Sequence, residues 1–402
     1  MRKRIYLDHA ATTYLDPVVK KAMEDFWIKD FGNPSSLYEE GRHAKKAIEE
    51  SRAKIAKIIN ARPEEIIFTN GGTESDNLAI FGVMGSLAPT WKLSFQVGEK
   101  TSHIIATKFE HHAVLNACKK LEKEGFDVTY LDVGKNGIVN LEDIKKALKK
   151  ETILVSVMFA NNEIGTIQSI AEIAKIIKNF KKKNNSVYPY FHTDACQAAE
   201  YLDLDVNILG VDLLTINGSK VYGPKGIGLL YIRKGTKIKP ILYGGEQERK
   251  IRPGTENVPG IVGLAKALEL SQKNRIKESK RLTALRDYFI KRLTAEIPRT
   301  YLNGDAIQRL PNNINISILG VEGESVVLYL DEAGVACSTG SACTSESLEP
   351  SHVIMALGRP YEYGHGSLRF TLGHCNTKKD IDYVMKILPG IIKKLRSISA
   401  VK

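Results

Sequence analysis

The chain reads as an α/β protein, with a mostly parallel central sheet covered by helices on both faces and a smaller α+β part attached. Two patterns in its 402 residues lead there. From about residue 17 to 235, short apolar runs alternate with amphipathic ones, as strand–helix–strand crossovers of a parallel sheet require. After Pro253-Gly254 that alternation stops and long helical stretches with isolated strands take over. A hydrophobic content of 43% over this length is enough for a large core and two domains. The expected division is a large α/β domain over 16–256 and a small α+β domain made of 1–15 and 257–402.

Taken in order, 44–61 is a charged amphipathic helix, 65–69 a short β-rich run and 73–84 a helix. The 89–102 stretch reads as a loop inserted before a strand at 103–107. Then come a helix at 112–124, a strand at 128–131, a helix at 141–149 and an apolar strand at 153–159. A helix at 170–180 leads to strands at 190–192, 212–216 and 227–232. Beyond the break, 258–296 is one or two long helices, 313–318 a strand, 324–332 a helix, 367–372 a strand and 378–397 a closing helix. The first dozen residues are extended and reach toward this second part.

Composition narrows the function classes. The net charge of +12 would suit nucleic-acid contact. The lysines, however, are scattered over apparent helices and accompany no RNP, zinc-finger or helix-turn-helix signature, so solvated helix faces are the better reading. No apolar run approaches the roughly 18 residues of a membrane span. Met1-Arg2-Lys3-Arg4 leads straight into Tyr6-Leu7-Asp8-His9 without the apolar core of a secretory signal. Five cysteines, an odd number without CxxC spacing, fit free thiols in a reducing cytoplasm rather than a disulfide framework. Cys337, Cys343 and Cys375 with His352, His365 or His374 match no zinc spacing, so no metal is expected.

Five polar segments each follow a predicted strand, where open α/β sheets bind ligands. Gly71-Gly72-Thr73 opens a helix whose free N–H groups suit a phosphate, although an ordinary helix cap reads the same way. His111 could lie over an aromatic ring or merely start a helix, and Asn162 could bond a substrate or merely form a turn. Asp194 could hold a pyridine nitrogen protonated or cap a turn, with Gln197 facing the same ring. Lys220 could form an imine if desolvated, or be one surface lysine among many. The glycines around Lys220, at 218, 223, 226 and 228, argue against a plain helical face. Five such coincidences describe one cleft with the parts that pyridoxal 5'-phosphate requires. Separately, Cys343 sits among Ser338, Gly340, Ser341, Thr344 and Ser345, which suits an exposed, mobile thiol. Arg369 is a candidate clamp for an amino-acid carboxylate.

Together these residues resemble the cysteine desulfurases of the NifS/IscS type, in the class V aminotransferase group of fold-type I pyridoxal phosphate enzymes. The resemblance runs from Tyr6-Leu7-Asp8-His9-Ala10-Ala11-Thr12-Thr13 to Arg369. It is most specific at Gly72-Thr73-Glu74-Ser75-Asp76-Asn77, at Tyr222-Gly223-Pro224-Lys225-Gly226 and at Gly340-Ser341-Ala342-Cys343-Thr344-Ser345. It implies that Lys220 binds the cofactor, His111 stacks on its ring and Asp194 pairs with the ring nitrogen. Gln197 and Asn162 would surround the ring hydroxyl and substrate, with Gly72 and Thr73 at the phosphate. Thr255 would reach the phosphate of a partner subunit, which implies a homodimer. Cys343, on a loop at about 336–349, would take sulfur from L-cysteine as a persulfide, leaving L-alanine, while Arg369 holds the substrate carboxylate. The sulfur would pass to an acceptor protein of iron–sulfur cluster assembly or tRNA thiolation.

One departure stands out. The family reads Ser-x-His-Lys before the imine, whereas Asn217 and Ser219 occupy those places here. Both can donate to phosphate, but without the imidazole a weaker hold on the cofactor is expected. Competing readings are a selenocysteine lyase, a cysteine sulfinate desulfinase-like enzyme, or a catalytically degenerate scaffold for sulfur-transfer partners.

Overall fold

The computed structural model describes residues 4–87, 96–97, 100–340 and 350–398. Its strands, in chain order, are β1 (Ile5–Tyr6), β2 (Ile66–Thr69), β3 (Gln96–Val97), β4 (Lys100–Thr101), β5 (His103–Thr107), β6 (Asp127–Leu131) and β7 (Thr152–Ser156). They continue with β8 (Tyr190–Asp194), β9 (Leu213–Asn217), β10 (Gly228–Ile232), β11 (Thr300–Leu302), β12 (Asn313–Ile318), β13 (Val335–Ala336) and β14 (Ser367–Thr371).

Seven strands form the main sheet in the order β2-β10-β9-β8-β7-β5-β6. Pairing is parallel from β9 across to β6, while β10 runs antiparallel to both β9 and β2. Two successive reversals return β2 to the direction of β9, so the carboxyl ends of β2, β5, β7, β8 and β9 share one edge. The order switches between β5 and β7, since β6 lies outside β5 and β7 inside it. That is the crevice where such sheets take ligands.

The apolar runs fill both faces. Ile105, Val155, Leu214 and Leu229 belong to one core, and their neighbours Ile104, Leu154, Leu213 and Leu230 to the other. Successive strand residues point to opposite sides, so a strand buried on both faces must be apolar throughout. Helices Gly72–Gly85 and His112–Lys123 cover one face, with Leu78, Val83, Val114 and Leu121 packed inward.

The predicted elements are present with ends moved by a few residues. Helix 258–296 is a single 39-residue helix, Val258–Glu296, packed on helix Glu39–Ile58. A second, three-stranded antiparallel sheet runs β11-β12-β14, backed by helices Gly323–Glu332 and Lys378–Ile398. The first residues are tied here, with β1 parallel to β13 and Asp8 bridged to Thr371.

Several elements differ from the sequence reading. Within 89–102, read as a loop, β3 and β4 pair as a small hairpin. The strand expected at 153–159 ends at Ser156. Helix Pro17–Met23 was not expected, although Asp16 caps it by accepting from the Val18 N–H at 2.7 Å and Pro17 opens it. β11 also had no sequence signal. Among the described residues no helix is long and apolar enough to cross a membrane.

Candidate functional site

At the shared strand edge lies a cavity of about 170 Å³ whose wall includes Gly72, Thr73, His111, Asn162, Asp194, Gln197, Asn217, Lys220 and Arg369. Ala10, Ala11, Asp76, Met158 and Cys196 complete it. Nine residues picked from separate segments of sequence thus meet in one place. An adjoining cleft of about 540 Å³ shares Gly72, Thr73 and Asn217 and adds Ser219, Thr12, Lys225 and Gly226.

Each side chain is placed by the strand before it. Lys220 ends the 3₁₀ turn Gly218–Lys220 directly after β9. Its Nζ donates to the Ala10 carbonyl at 3.0 Å and to the Ala11 carbonyl. The extended N-terminal segment therefore holds the amine in the cavity through main-chain oxygens. Asp194 closes β8 and is buried, with Oδ1 accepting from the Cys196 N–H at 2.8 Å. Gln197 Nε2 donates to the same Ala10 carbonyl at 3.0 Å. His111 caps helix His112–Lys123, its Nδ1 accepting from the Ala113 N–H at 3.1 Å.

The end of the cavity at the helix start is built from backbone. Helix Gly72–Gly85 follows β2, and its cap Gly71 has φ 142°, in the region that favours glycine. A Cβ on Gly72 would stand 2.8 Å from Cys196 Sγ. The helix thus starts close against the β8 turn with its first N–H groups free of side-chain cover. Asn217 Oδ1 accepts from both the N–H and the Oγ–H of Ser219 at 3.2 Å, which leaves the Asn217 amide N–H groups toward the cleft.

At the opposite end Arg369, on β14, is buried. It is held by Asp8 Oδ1 at 2.8 Å from Nη2 and by the Asn162 carbonyl at 3.3 Å from Nη1. Its Nε has no partner. Asp8 Oδ2 also accepts from Ser338 Oγ at 3.1 Å.

Two buried carboxyls and a buried histidine surround Asp194. Burial first, then the Asp194 charge, pushes the Asp76 carboxyl well up, against a Thr215 hydrogen bond. Burial raises Glu110 to about 8, although the Thr107 hydroxyl and the Met158 N–H donate to its Oε1. Burial lowers His192 to about 4, against the pull of Asp194. Glu110 and His192 are therefore neutral near pH 7. Burial also keeps the Cys118, Cys196 and Cys337 thiols protonated by raising their pKa. Cys375 is exposed.

One of the sequence-picked residues lies elsewhere. Thr255 is exposed and lines neither cavity. Cys343, with the rest of 341–349, lies outside the described residues.

The aminotransferase class-V family profile matches residues 5–384. The chain belongs to that family. This class-V chain is 54% identical over its whole length to cysteine desulfurase IscS of Dictyoglomus turgidum, covering 98% of that protein. Among solved structures it is similar to a NifS-like protein, with TM-score 0.88, 34% identity, and 98% of this chain and all of the other covered. It is also similar to SspA in complex with cysteine, with TM-score 0.77, 33% identity, and 92% and 98% of the two chains covered.

Several wall residues of the class-V chain escaped the sequence reading. Asp76 lies four residues after Gly72, on the same face of the helix, and that spacing was the available signal. Ala10 and Ala11 act through their carbonyls, which no side-chain pattern announces. Glu110, buried beside His111 and not itself in the wall, could have been singled out only as a charge next to a strand end.

Proposed function

We propose that this class-V chain is a cysteine desulfurase of the NifS/IscS type that removes sulfur from L-cysteine, gives L-alanine and carries the sulfur as a persulfide on Cys343. The observation carrying this reading is the meeting of Lys220, Asp194, His111 and Arg369 in one small cavity. An amine, a buried carboxylate, an imidazole and a guanidinium are the groups that amino-acid chemistry on pyridoxal 5'-phosphate calls for.

The residues present fit that cofactor. A buried carboxylate suits a pyridinium, an amine suits an aldehyde, and a Gly-Gly helix start next to amide and hydroxyl donors suits a phosphate. When bound, pyridoxal phosphate supplies the electron sink that makes the substrate Cα–H acidic. Lys220 would hold its aldehyde carbon through Nζ, Asp194 would pair with its ring nitrogen, and His111 would cover the ring face. Gln197 and Asn162 would flank it. The N–H groups of Gly72 and Thr73, the Asn217 amide and the Ser219 hydroxyl would take the phosphate.

Lys220 Nζ would take the Cα proton as general base. Arg369 holds the substrate carboxylate through a guanidinium already oriented by Asp8 and the Asn162 carbonyl. The Cys343 thiolate attacks the substrate sulfur, so an S–S bond forms as the C–S bond breaks. The bond pair stays with the substrate carbon, which takes a proton and leaves as L-alanine. His111 assists a proton transfer.

Thr255 is exposed, as a residue lent to a second copy's phosphate site would be. Trp27, Ile28, Phe31, Leu37 and Tyr243 are exposed large apolar side chains, and covering them favours a homodimer. Free thiols at Cys118, Cys196, Cys337 and Cys375 suit a reducing compartment such as the cytoplasm. The protein passes sulfur to an acceptor protein of iron–sulfur assembly or tRNA thiolation.

The test is to incubate the purified yellow protein with L-cysteine and a reductant. Alanine and sulfide are expected in equal amounts, and Cys343→Ala should keep the colour and lose both products. A colourless protein that stays colourless with added pyridoxal phosphate would refute the reading.

A further inference from the structure

Lys220 is gripped by its side chain and by its main chain, and both grips come from residues 10–13. The carbonyls of Ala10 and Ala11 take its Nζ. Thr13, buried and lining neither cavity, takes the main chain on either side of it. The Thr13 N–H and hydroxyl donate to the Ser219 carbonyl at 2.9 and 3.0 Å, and the same hydroxyl accepts from the Tyr222 N–H at 2.9 Å. One hydroxyl thus spans the turn from Ser219 to Tyr222, with Lys220 inside it. The gripping segment is itself pinned, because the Ala10 N–H donates to Thr371 Oγ1 at 2.9 Å. Tyr6 Oη also lies 3.0 and 2.9 Å from the carbonyls of Asp8 and Thr12.

The turn is held against strain. Tyr222 has φ 58°, in the left-handed region where a bulky side chain is disfavoured. Such strain persists only where the surroundings impose it, and it gathers where geometry serves function. Besides the Thr13 bond, the Asp16 N–H donates to the Tyr222 carbonyl at 3.0 Å, and Tyr222 Oη accepts from the His374 N–H at 3.0 Å. The Tyr222 ring stacks on the His374 imidazole, with centroids 3.8 Å apart and planes 15° from parallel. Glu200 Oε1 holds that imidazole through Nε2 at 2.9 Å. A turn that had only to connect β9 to β10 could place glycine at such a φ, as the chain does at Gly226 with φ 72°. The strained, many-sided hold on Tyr222 is best explained by the residue the turn carries.

We infer that Thr13 is a positioning residue for Lys220: it fixes the turn that delivers Nζ to the cofactor aldehyde, and it leaves ring and phosphate binding to other residues. The inference rests on the reading that Lys220 bonds the aldehyde of pyridoxal 5'-phosphate. That step is a condensation. The C=N bond forms, the C=O bond breaks, and the oxygen leaves as water with two protons of the Lys220 ammonium; nothing is oxidised or reduced. Two reacting groups gain from being held in place, and a misplacement of about 1 Å costs up to about a hundredfold. Without the Thr13 hydroxyl the Tyr222 N–H loses its partner and the turn is released beyond Lys220. The Thr13 N–H still holds the Ser219 carbonyl, so the phosphate donors before Lys220 keep their place.

Two ligands separate this role from a general one. Pyridoxal phosphate can bond Lys220, whereas pyridoxine 5'-phosphate, with a hydroxymethyl in place of the aldehyde, offers the same ring and phosphate and cannot. The full-length protein, freed of cofactor, is titrated with each. In Thr13→Val, which keeps the shape and loses the hydroxyl, affinity for pyridoxal phosphate should fall about tenfold to a hundredfold, and affinity for pyridoxine phosphate should stay within about twofold. Thr13→Ser, which keeps the hydroxyl, should recover most of the loss. In a Lys220→Ala background Thr13→Val should change neither affinity, because the group it positions is gone. Tyr222→Phe keeps the stacked ring, loses the His374 bond, and should weaken pyridoxal phosphate alone by a smaller factor; it is the second probe where Thr13→Val folds poorly. Equal losses for both ligands, no loss for either, no recovery in Thr13→Ser, or a loss that persists in the Lys220→Ala background would overturn the inference. If Lys220→Ala binds pyridoxal phosphate like the parent, the reading beneath it fails as well; if Lys220→Ala loses the bond and Thr13→Val matches the parent, only the role of Thr13 is lost.

Discussion

Glu110 gives the most quantitative handle on the site. Its carboxyl is fully buried, Oε1 takes the Thr107 hydroxyl at 2.7 Å and the Met158 N–H at 2.9 Å, and Oε2 has no partner. Burial lifts its pKa from the ordinary 4.5 to about 8. Below pH 4.5 the folded and unfolded chains both carry the proton, and the group contributes no pH dependence. Between 4.5 and about 8 the unfolded chain releases the proton while the fold keeps it, so stability falls by up to about 1.4 kcal/mol per pH unit. Above 8 the loss is complete. Glu110→Gln preserves the acceptor for Thr107 and Met158 and never ionises. Its stability relative to the parent should therefore rise by about 1–3 kcal/mol between pH 5.5 and 7.5. Thermal or denaturant unfolding of both proteins at several pH values measures this. Parallel curves over that range would refute the reasoning, because they would mean that Glu110 ionises as easily in the fold as outside it.

Three further outcomes follow from the geometry. Ser219→His should tighten pyridoxal phosphate, since the imidazole reaches farther toward the phosphate than the short hydroxyl it replaces; a spectroscopic titration with unchanged affinity would contradict this. Gly72→Ala places a Cβ 2.8 Å from Cys196 Sγ, so the helix start must shift and cofactor affinity should fall about tenfold, read by the same titration. Arg369→Lys loses the planar fork and should raise KM for L-cysteine by about tenfold or more while the cofactor spectrum stays the same; an unchanged KM would remove Arg369 from the carboxylate site.

How much of this was readable beforehand depended on where the signal lay. The strands were legible because a strand buried on both faces, such as Ile104-Ile105 or Leu213-Leu214, must be apolar throughout. The cleft was legible because parallel strands carry their following polar residues to one edge, which is how His111, Asn162, Asp194 and Lys220 could be grouped from sequence alone. The sheet order was not legible. Nothing in the periodicity of Gly228–Ile232 says that it inserts antiparallel between β2 and β9. Contacts made by main chain were equally hidden, as with the Ala10 and Ala11 carbonyls on Lys220. So was the meeting of Glu163 with Ser351, 188 residues apart, which depends on how the second sheet packs against the first. His352, grouped with cysteines in the metal alternative, instead hydrogen-bonds the Glu110 carbonyl. Helix Pro17–Met23 was overlooked despite a cap and an opening proline, because it is too short for its apolar positions to form a repeat.

The central claim is that an atom of sulfur passes from L-cysteine to one particular thiol. One turnover of the holoenzyme with L-cysteine and no reductant, followed by peptide mass mapping, tests it most directly. The account predicts one added sulfur atom on the peptide carrying Cys343 for each alanine released. Alanine appearing while that peptide stays unmodified, with the extra sulfur on the exposed Cys375 or on no cysteine at all, would contradict it.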